Sequence, residues 1–130
     1  MSKTPNKIIT DVAIISMDDD GIVIIDMKEG VVVDEIDVLN INLALRTITQ
    51  GEPSLRLLDA RANWKMTSKA KKAAEINNLK SNAIARAIWV NSIIKSTLLS
   101  FLSKFNTKDT PQKFFTDVDE AKKWLLGFRK

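Results

Sequence analysis

Two short apolar runs, Ser54 to Ala60 (SLRLLDA) and Ala85 to Val90 (ARAIWV), lie between stretches of helical periodicity. Runs this short and apolar read as buried strands, and strands that alternate with helices imply a mainly parallel sheet. Residues 8–16 (IITDVAIIS) and 22–28 (IVIIDMK) are equally rich in Ile and Val. The Asp18-Asp19-Asp20-Gly21 between them tolerates the positive φ of a tight turn, which predicts an N-terminal β-hairpin. The first strand is expected to pair antiparallel at one sheet edge.

The helices announce themselves by their ends. Asp34 with Asp37 three residues on predicts a first helix from there to about Thr49, stopped before Gly51 and Pro53. Thr67 or Ser68 can cap a second helix to about Lys80, and Asn91 or Ser92 a third to about Phe105. Gln112 to Phe115 reads as a short last strand. Asp117 with Glu120 makes a capping pair for a final helix reaching Phe128. The order is ββαβαβαβα, a mixed α/β fold with a mainly parallel sheet and right-handed crossovers. With 130 residues, 45% of them hydrophobic, the chain can bury one sizeable core. A single domain over 1–130 is expected, with 1–7 as a flexible N-terminus.

Histidine, cysteine and tyrosine are absent. That removes disulfides, Cys/His zinc sites, Ser–His and Cys nucleophile systems and imidazole proton shuttles. Gly21, Gly30, Gly51 and Gly127 form neither GxGxxG nor GxxxxGK[ST], which disfavours a Rossmann or P-loop nucleotide enzyme. Consecutive Asp18, Asp19 and Asp20 lack the alternating carboxylates of a calcium loop. No catalytic residue, metal site or cofactor is expected. Residues 1–7 carry no apolar core of a signal peptide, and no apolar run approaches the ~18 residues of a membrane span. A cytoplasmic location is the expectation.

The net charge of +4 hides an asymmetry. Residues 1–60 hold 5 Lys/Arg and 11 Asp/Glu, and residues 61–130 hold 15 and 5. The basic segment from Arg61 to Lys108 could attract an anionic surface, although lysine is more often the solvated side of helices. With one aromatic, Trp64, in its loop, nucleic acid is not expected as a partner. On the first helix, Val38, Ile41, Leu45 and Ile48 make one apolar stripe, and Ile36, Leu39 and Leu43 another on the nearly opposite face. One stripe must cover the sheet. The other is a candidate interface, for a homodimer or another protein, unless a neighbouring element covers it. Asp59 ends a buried strand at the carboxyl edge, where open α/β sheets gather ligands. It can equally pair with Arg61.

Taken with that element order, Asp18 to Gly21 in the hairpin, Leu57-Leu58-Asp59 closing the next strand, and the pattern Pro111, Lys113, Phe115, Glu120, Ala121, Trp124 and Leu125 (PxKxFxxxxEAxxWL) give nearly the whole chain a family resemblance. It resembles the STAS / anti-sigma-factor-antagonist superfamily, and more narrowly the small bacterial SpoIIAA-like (STAS/SEC14-like) proteins of unknown function. The resemblance implies a non-catalytic regulatory or protein-interaction domain. Its SEC14-like members imply an alternative, a small-molecule or lipid-binding module with an apolar cavity near Asp59, Ala60, Val90 and Asn91. In true antagonists a Ser at the start of the second helix, usually after Asp, is phosphorylated by a partner kinase. Ser68 aligns with that acceptor, but Thr67 stands where the Asp is expected and the following Gly is missing. Lys65, Lys69, Lys71 and Lys72 surround this helix start, whose free amides and dipole favour an anion. Thr67 or Ser68 equally serves as a plain N-cap.

Overall fold

The computed structural model describes residues 6–78, 81–92 and 96–129. Its strands are β1 (Lys7–Ile9), β2 (Ala13–Met17), β3 (Val23–Met27), β4 (Val32–Val33), β5 (Ser54–Asp59), β6 (Lys65–Met66), β7 (Ala83–Trp89) and β8 (Gln112–Phe115). Its helices are α1 (Glu35–Thr49), α2 (Ser68–Asn78), α3 (Thr97–Ser103) and α4 (Val118–Leu126). Six strands form one sheet in the order β1-β2-β3-β5-β7-β8. β1, β2 and β3 are antiparallel, and β3, β5, β7 and β8 run parallel.

The expected first strand, 8–16, is two strands. Thr10 accepts hydrogen bonds from the amides of Val12 (3.3 Å) and Ala13 (3.0 Å), so its hydroxyl folds the chain back at Thr10-Asp11 and splits the Ile-rich run. Lys7 already belongs to β1. The second turn is as expected: Asp18 Oδ1 accepts from the amides of Asp20 and Ile22, and Gly21 takes φ 81°. α1 begins at the Asp34/Asp37 capping box and ends where Gln50 turns left-handed at φ 54°. α3 starts at Ser96, whose hydroxyl accepts from the Leu99 amide, later than the expected Asn91 or Ser92; residues 93–95, between the two starts, fall outside the described residues, as does Lys80 at the expected end of α2.

β4 and β6 had no counterpart in the expected order. They form a separate two-stranded parallel sheet, Val32 beside Lys65 and Val33 beside Met66. Because α1 follows β4 and α2 follows β6, this pair sets the two helix starts side by side.

Side chains alternate across β5 and β7, and each face has its own cover. Leu55, Leu57, Ala85 and Ala87 pack with Ala121 and Leu125 of α4. On the opposite face Ile15, Val23, Met27 and Ile88 pack with Val38, Leu45 and Ile48 of α1, Ala70 of α2, and Phe101 and Leu102 of α3. No helix among the described residues is long and apolar enough to cross a membrane.

Candidate functional site

The α4 face is closed. The α1–α3 face encloses a chamber of about 270 Å³. Register determines what lines it. Arg56, Arg86 and Gln112 are successive partners across β5, β7 and β8, and form one polar row. Ile25, Leu58 and Ile88 form the next row, and Met27 lies beyond it. Met66, Trp64 and Val33 line the chamber at the carboxyl end of the strands. The exposed lining residues Arg46, Gly51 and Asn82 all lie at the amino end, and mark the mouth. Asn82 Nδ2 donates to the Gly51 carbonyl across it, at 2.7 Å. The chamber is therefore basic and amide-rich at its mouth and apolar at its floor.

The two inward arginines have only neutral acceptors among the described residues. Arg56 Nε donates to Ser54 Oγ (3.2 Å) and its Nη1 to Ser81 Oγ (3.4 Å). Arg86 Nη1 donates to the Phe105 carbonyl (3.3 Å) and its Nη2 to Asn78 Oδ1. The described chamber lining contains neither Asp nor Glu. Burial pushes the Arg56 guanidinium down, and burial with the adjacent Arg56 charge pushes Arg86 down to about 10. Both stay cationic at neutral pH. Two further polar atoms in the lining are buried without a partner among the described residues, Trp64 Nε1 and Gln112 Oε1. Gln112 Nε2 is engaged with the Leu102 carbonyl at 2.7 Å, which fixes the amide's orientation.

Sequence reasoning overlooked Arg56 and Arg86, although a signal was there: each of two buried strands carries one arginine at its centre. It looked instead to the carboxyl edge. The structure brings Asp59 and Asn91 together there, but around Arg61. Asp59 forms a two-pronged ion pair with Arg61 (both contacts 2.9 Å), and Asn91 Nδ2 donates to the Arg61 carbonyl (3.0 Å). The Arg61 guanidinium lies 3.3 Å from the Trp89 ring centroid. The chamber does not reach Asp59, Ala60, Val90 or Asn91. Asp59 and Trp89 are register partners, one residue on from Leu58 and Ile88, so they face away from it.

At the start of α2, Thr67 is the cap: its Oγ1 accepts from the Ala70 amide (3.0 Å) and donates to Asp34 Oδ1 (2.8 Å). Asp34 is also the N-cap of α1. The Glu35 amide first, then the Thr67 hydroxyl, hold its carboxyl below the usual range, with Lys69 adding to the effect. A carboxylate of the chain itself thus lies at the helix start where an anion was anticipated. Ser68, Lys65 and Lys69 are exposed around it.

The two stripes of α1 separate as the periodicity indicates. Val38, Leu45 and Ile48 are buried, with Ile41 packed against them, whereas Ile36, Leu39 and Leu43 are 61%, 44% and 60% exposed. A shallow groove runs from Leu43 to Ile8 and Ile9 of edge strand β1. Trp64, the aromatic in the loop of the basic segment, is buried. No group of acidic residues that could hold a metal occurs among the described residues.

The architecture, a mostly parallel six-stranded sheet entered through antiparallel strands and covered on both faces by helices, defines a SpoIIAA-like α/β protein. It is similar to an uncharacterised protein of the DUF3478 family with a SpoIIAA-like fold from Shewanella loihica PV-4, with a TM-score of 0.64 and 18% identity over 87% of this chain and 91% of that one. At that identity the likeness is one of fold. The chain itself belongs to the family described as a domain of unknown function, DUF7793, whose pattern it matches over residues 15–129. No curated protein matches it.

Proposed function

We propose that this chain is a non-catalytic binding module that holds one small organic ligand in the chamber between its sheet and α1–α3. The carrying observation is the chamber itself, with largely apolar walls, a few convergent polar groups and one polar mouth. Its volume, about 270 Å³, is near the lower end of small-ligand sites. The absence of histidine and cysteine removes imidazole and thiol chemistry, which supports the non-catalytic reading. A screen of small amphiphiles by amide chemical shifts tests the reading. Binders should move Ile25, Leu58 and Ala74 together. Binders that move only surface residues would overturn it.

A second reading, self-association or protein binding through α1, has its own support in the exposed Ile36, Leu39 and Leu43 stripe beside the edge of β1. Light scattering on wild type and on the Leu39→Asp/Leu43→Asp double variant tests it. A wild-type dimer that the variant converts to a folded monomer supports this surface as the interface. A wild-type monomer removes the homodimer.

A further inference from the structure

We propose that the ligand of this chamber is an oxyanion on an apolar body, its carboxylate or phosphate head seated on Arg56 and Arg86. The inference rests on the binding-module reading above and names the ligand's chemistry.

Arg56 and Arg86 are register partners on adjacent parallel strands, so their backbones stand about 5 Å apart, and the Arg56 charge bears on Arg86. Such a pair repels, and its withdrawal from water is costly unless a counter-charge is supplied. Among the described residues the chain supplies none: the acceptors of both side chains are hydroxyl, amide and carbonyl oxygens. The two ion pairs found among them, Arg61 with Asp59 and Lys122 with Asp18, do not involve this pair. Arg46 adds a third cation at the mouth. A guanidinium fork matches the two oxygens of a carboxylate or phosphate, and a single such head bridging both arginines would offset one of the two charges as a carboxylate or phosphate monoanion and both as a phosphate dianion.

The remaining observations are independent of charge. Gln112 is only 8% exposed, completes the arginine row, and has an acceptor oxygen with no donor among the described residues. A hydroxyl on the same head, as in a singly protonated phosphate, would fill it. Trp64, at the carboxyl end of the strands, is likewise 8% exposed, and its indole N–H has no acceptor among the described residues. The walls past the arginine row are Ile25, Leu58, Ile88 and Met27, which suit a chain of methylenes. Head to mouth and tail to floor is the orientation that this polarity imposes.

The test titrates isotope-labelled protein with decanoate, decyl phosphate and decanol, three probes with one tail and different heads. The Trp64 indole signal, assigned with Trp64→Phe, reports occupation of the chamber. The same titrations are run on Arg56→Met and Arg86→Met. In wild type at least one of the two anions should bind at least tenfold more tightly than decanol. Each arginine variant should lose at least tenfold for that anion and keep its affinity for decanol, which also shows that it is folded. Should a variant not fold, the wild-type comparison decides alone. Which of decanoate and decyl phosphate binds more tightly separates a carboxylate from a phosphate source. Decanol binding as tightly as both anions, or anion affinity unchanged in a folded arginine variant, overturns the oxyanion while leaving the binding module standing. Failure of all three probes to move chamber signals overturns both.

Discussion

Arg61 and the pair Arg56/Arg86 are made of the same side chain and face opposite sides of one sheet, with opposite electrostatic outcomes. Arg61 has Asp59 and the Trp89 ring, and its charge is fully partnered. Among the described residues Arg56 and Arg86 have neutral acceptors and each other. Replacing a charge that lacks a counter-ion with an apolar side chain of similar length removes a desolvation penalty. Arg86→Met should therefore raise the stability of the ligand-free protein by about 1 kcal/mol in urea titrations. A loss of about 3 kcal/mol, as when a buried ion pair is broken, would show that the guanidinium is already compensated. Asp26 is the converse case on the Arg61 side. Burial first, then the neighbouring Asp59, raise its pKa, and Arg61 partly offsets them. Its folded-state pKa lies above the unfolded one, so its contribution is most favourable below about pH 4 and is lost as pH rises through the folded value. At neutral pH it is a destabilising charge. Asp26→Asn should raise the unfolding free energy from urea titrations there by less than about 1 kcal/mol, because the group is exposed and screened. The gain should vanish in acid.

At the level of elements, one carboxylate connects two helices. Asp34 caps α1 and receives the Thr67 hydroxyl that caps α2, a meeting made by the β4/β6 pair. Thr67→Ala removes the cap and the cross-link together and should cost about 1 kcal/mol or somewhat more, while Thr67→Ser should retain most of it. Asp34 has a lowered pKa, so its share of stability is present above the unfolded carboxylate pKa and lost as pH falls through the folded one. Thr67→Ala removes one of the bonds that lower it, and the midpoint should then decline less on acidification than in wild type. Both ends of α1 and the start of α4 were legible in the sequence because a cap is a local device, written in residues three apart, whereas α4 stops at Leu126, short of the expected Phe128. The Asp18–Gly21 turn was legible for the same reason. The Thr10-Asp11 fold-back was present too, but hidden inside a run dense in Ile and Val. β4 and β6 are two residues each, are stabilised by each other across a long separation, and leave no periodic trace. The chamber was least legible. It depends on Arg56, Arg86 and Gln112 reaching the same register on three strands, and no single strand's sequence states its register against its neighbours.

Across the whole molecule the sheet divides two kinds of packing. On one face α4 lies directly on β5, β7 and β8, with Ala121 and Leu125 both at 0% exposure. On the other, α1, α2 and α3 stand around open volume, and Ala74 of α2 lines it. The same substitution on the two faces should therefore have opposite signs. Ala121→Leu inserts methylenes where there is no space for them, and overpacking of this kind costs about 1–3 kcal/mol. Ala74→Leu places them into the chamber. The added apolar group gains about 2 kcal/mol by burial and loses roughly half of that in side-chain freedom. Ala74→Leu should therefore raise the stability of the ligand-free protein by about 1 kcal/mol and weaken any ligand that occupies the chamber. Thermal and urea unfolding of the two variants, side by side, check this. If both leucines destabilise alike, the α1–α3 face is as tightly packed in solution as the α4 face and has no room for a ligand. If only Ala121→Leu does so, the empty volume beneath the first three helices is a standing feature of the fold, kept open at a cost in stability that a bound ligand would offset.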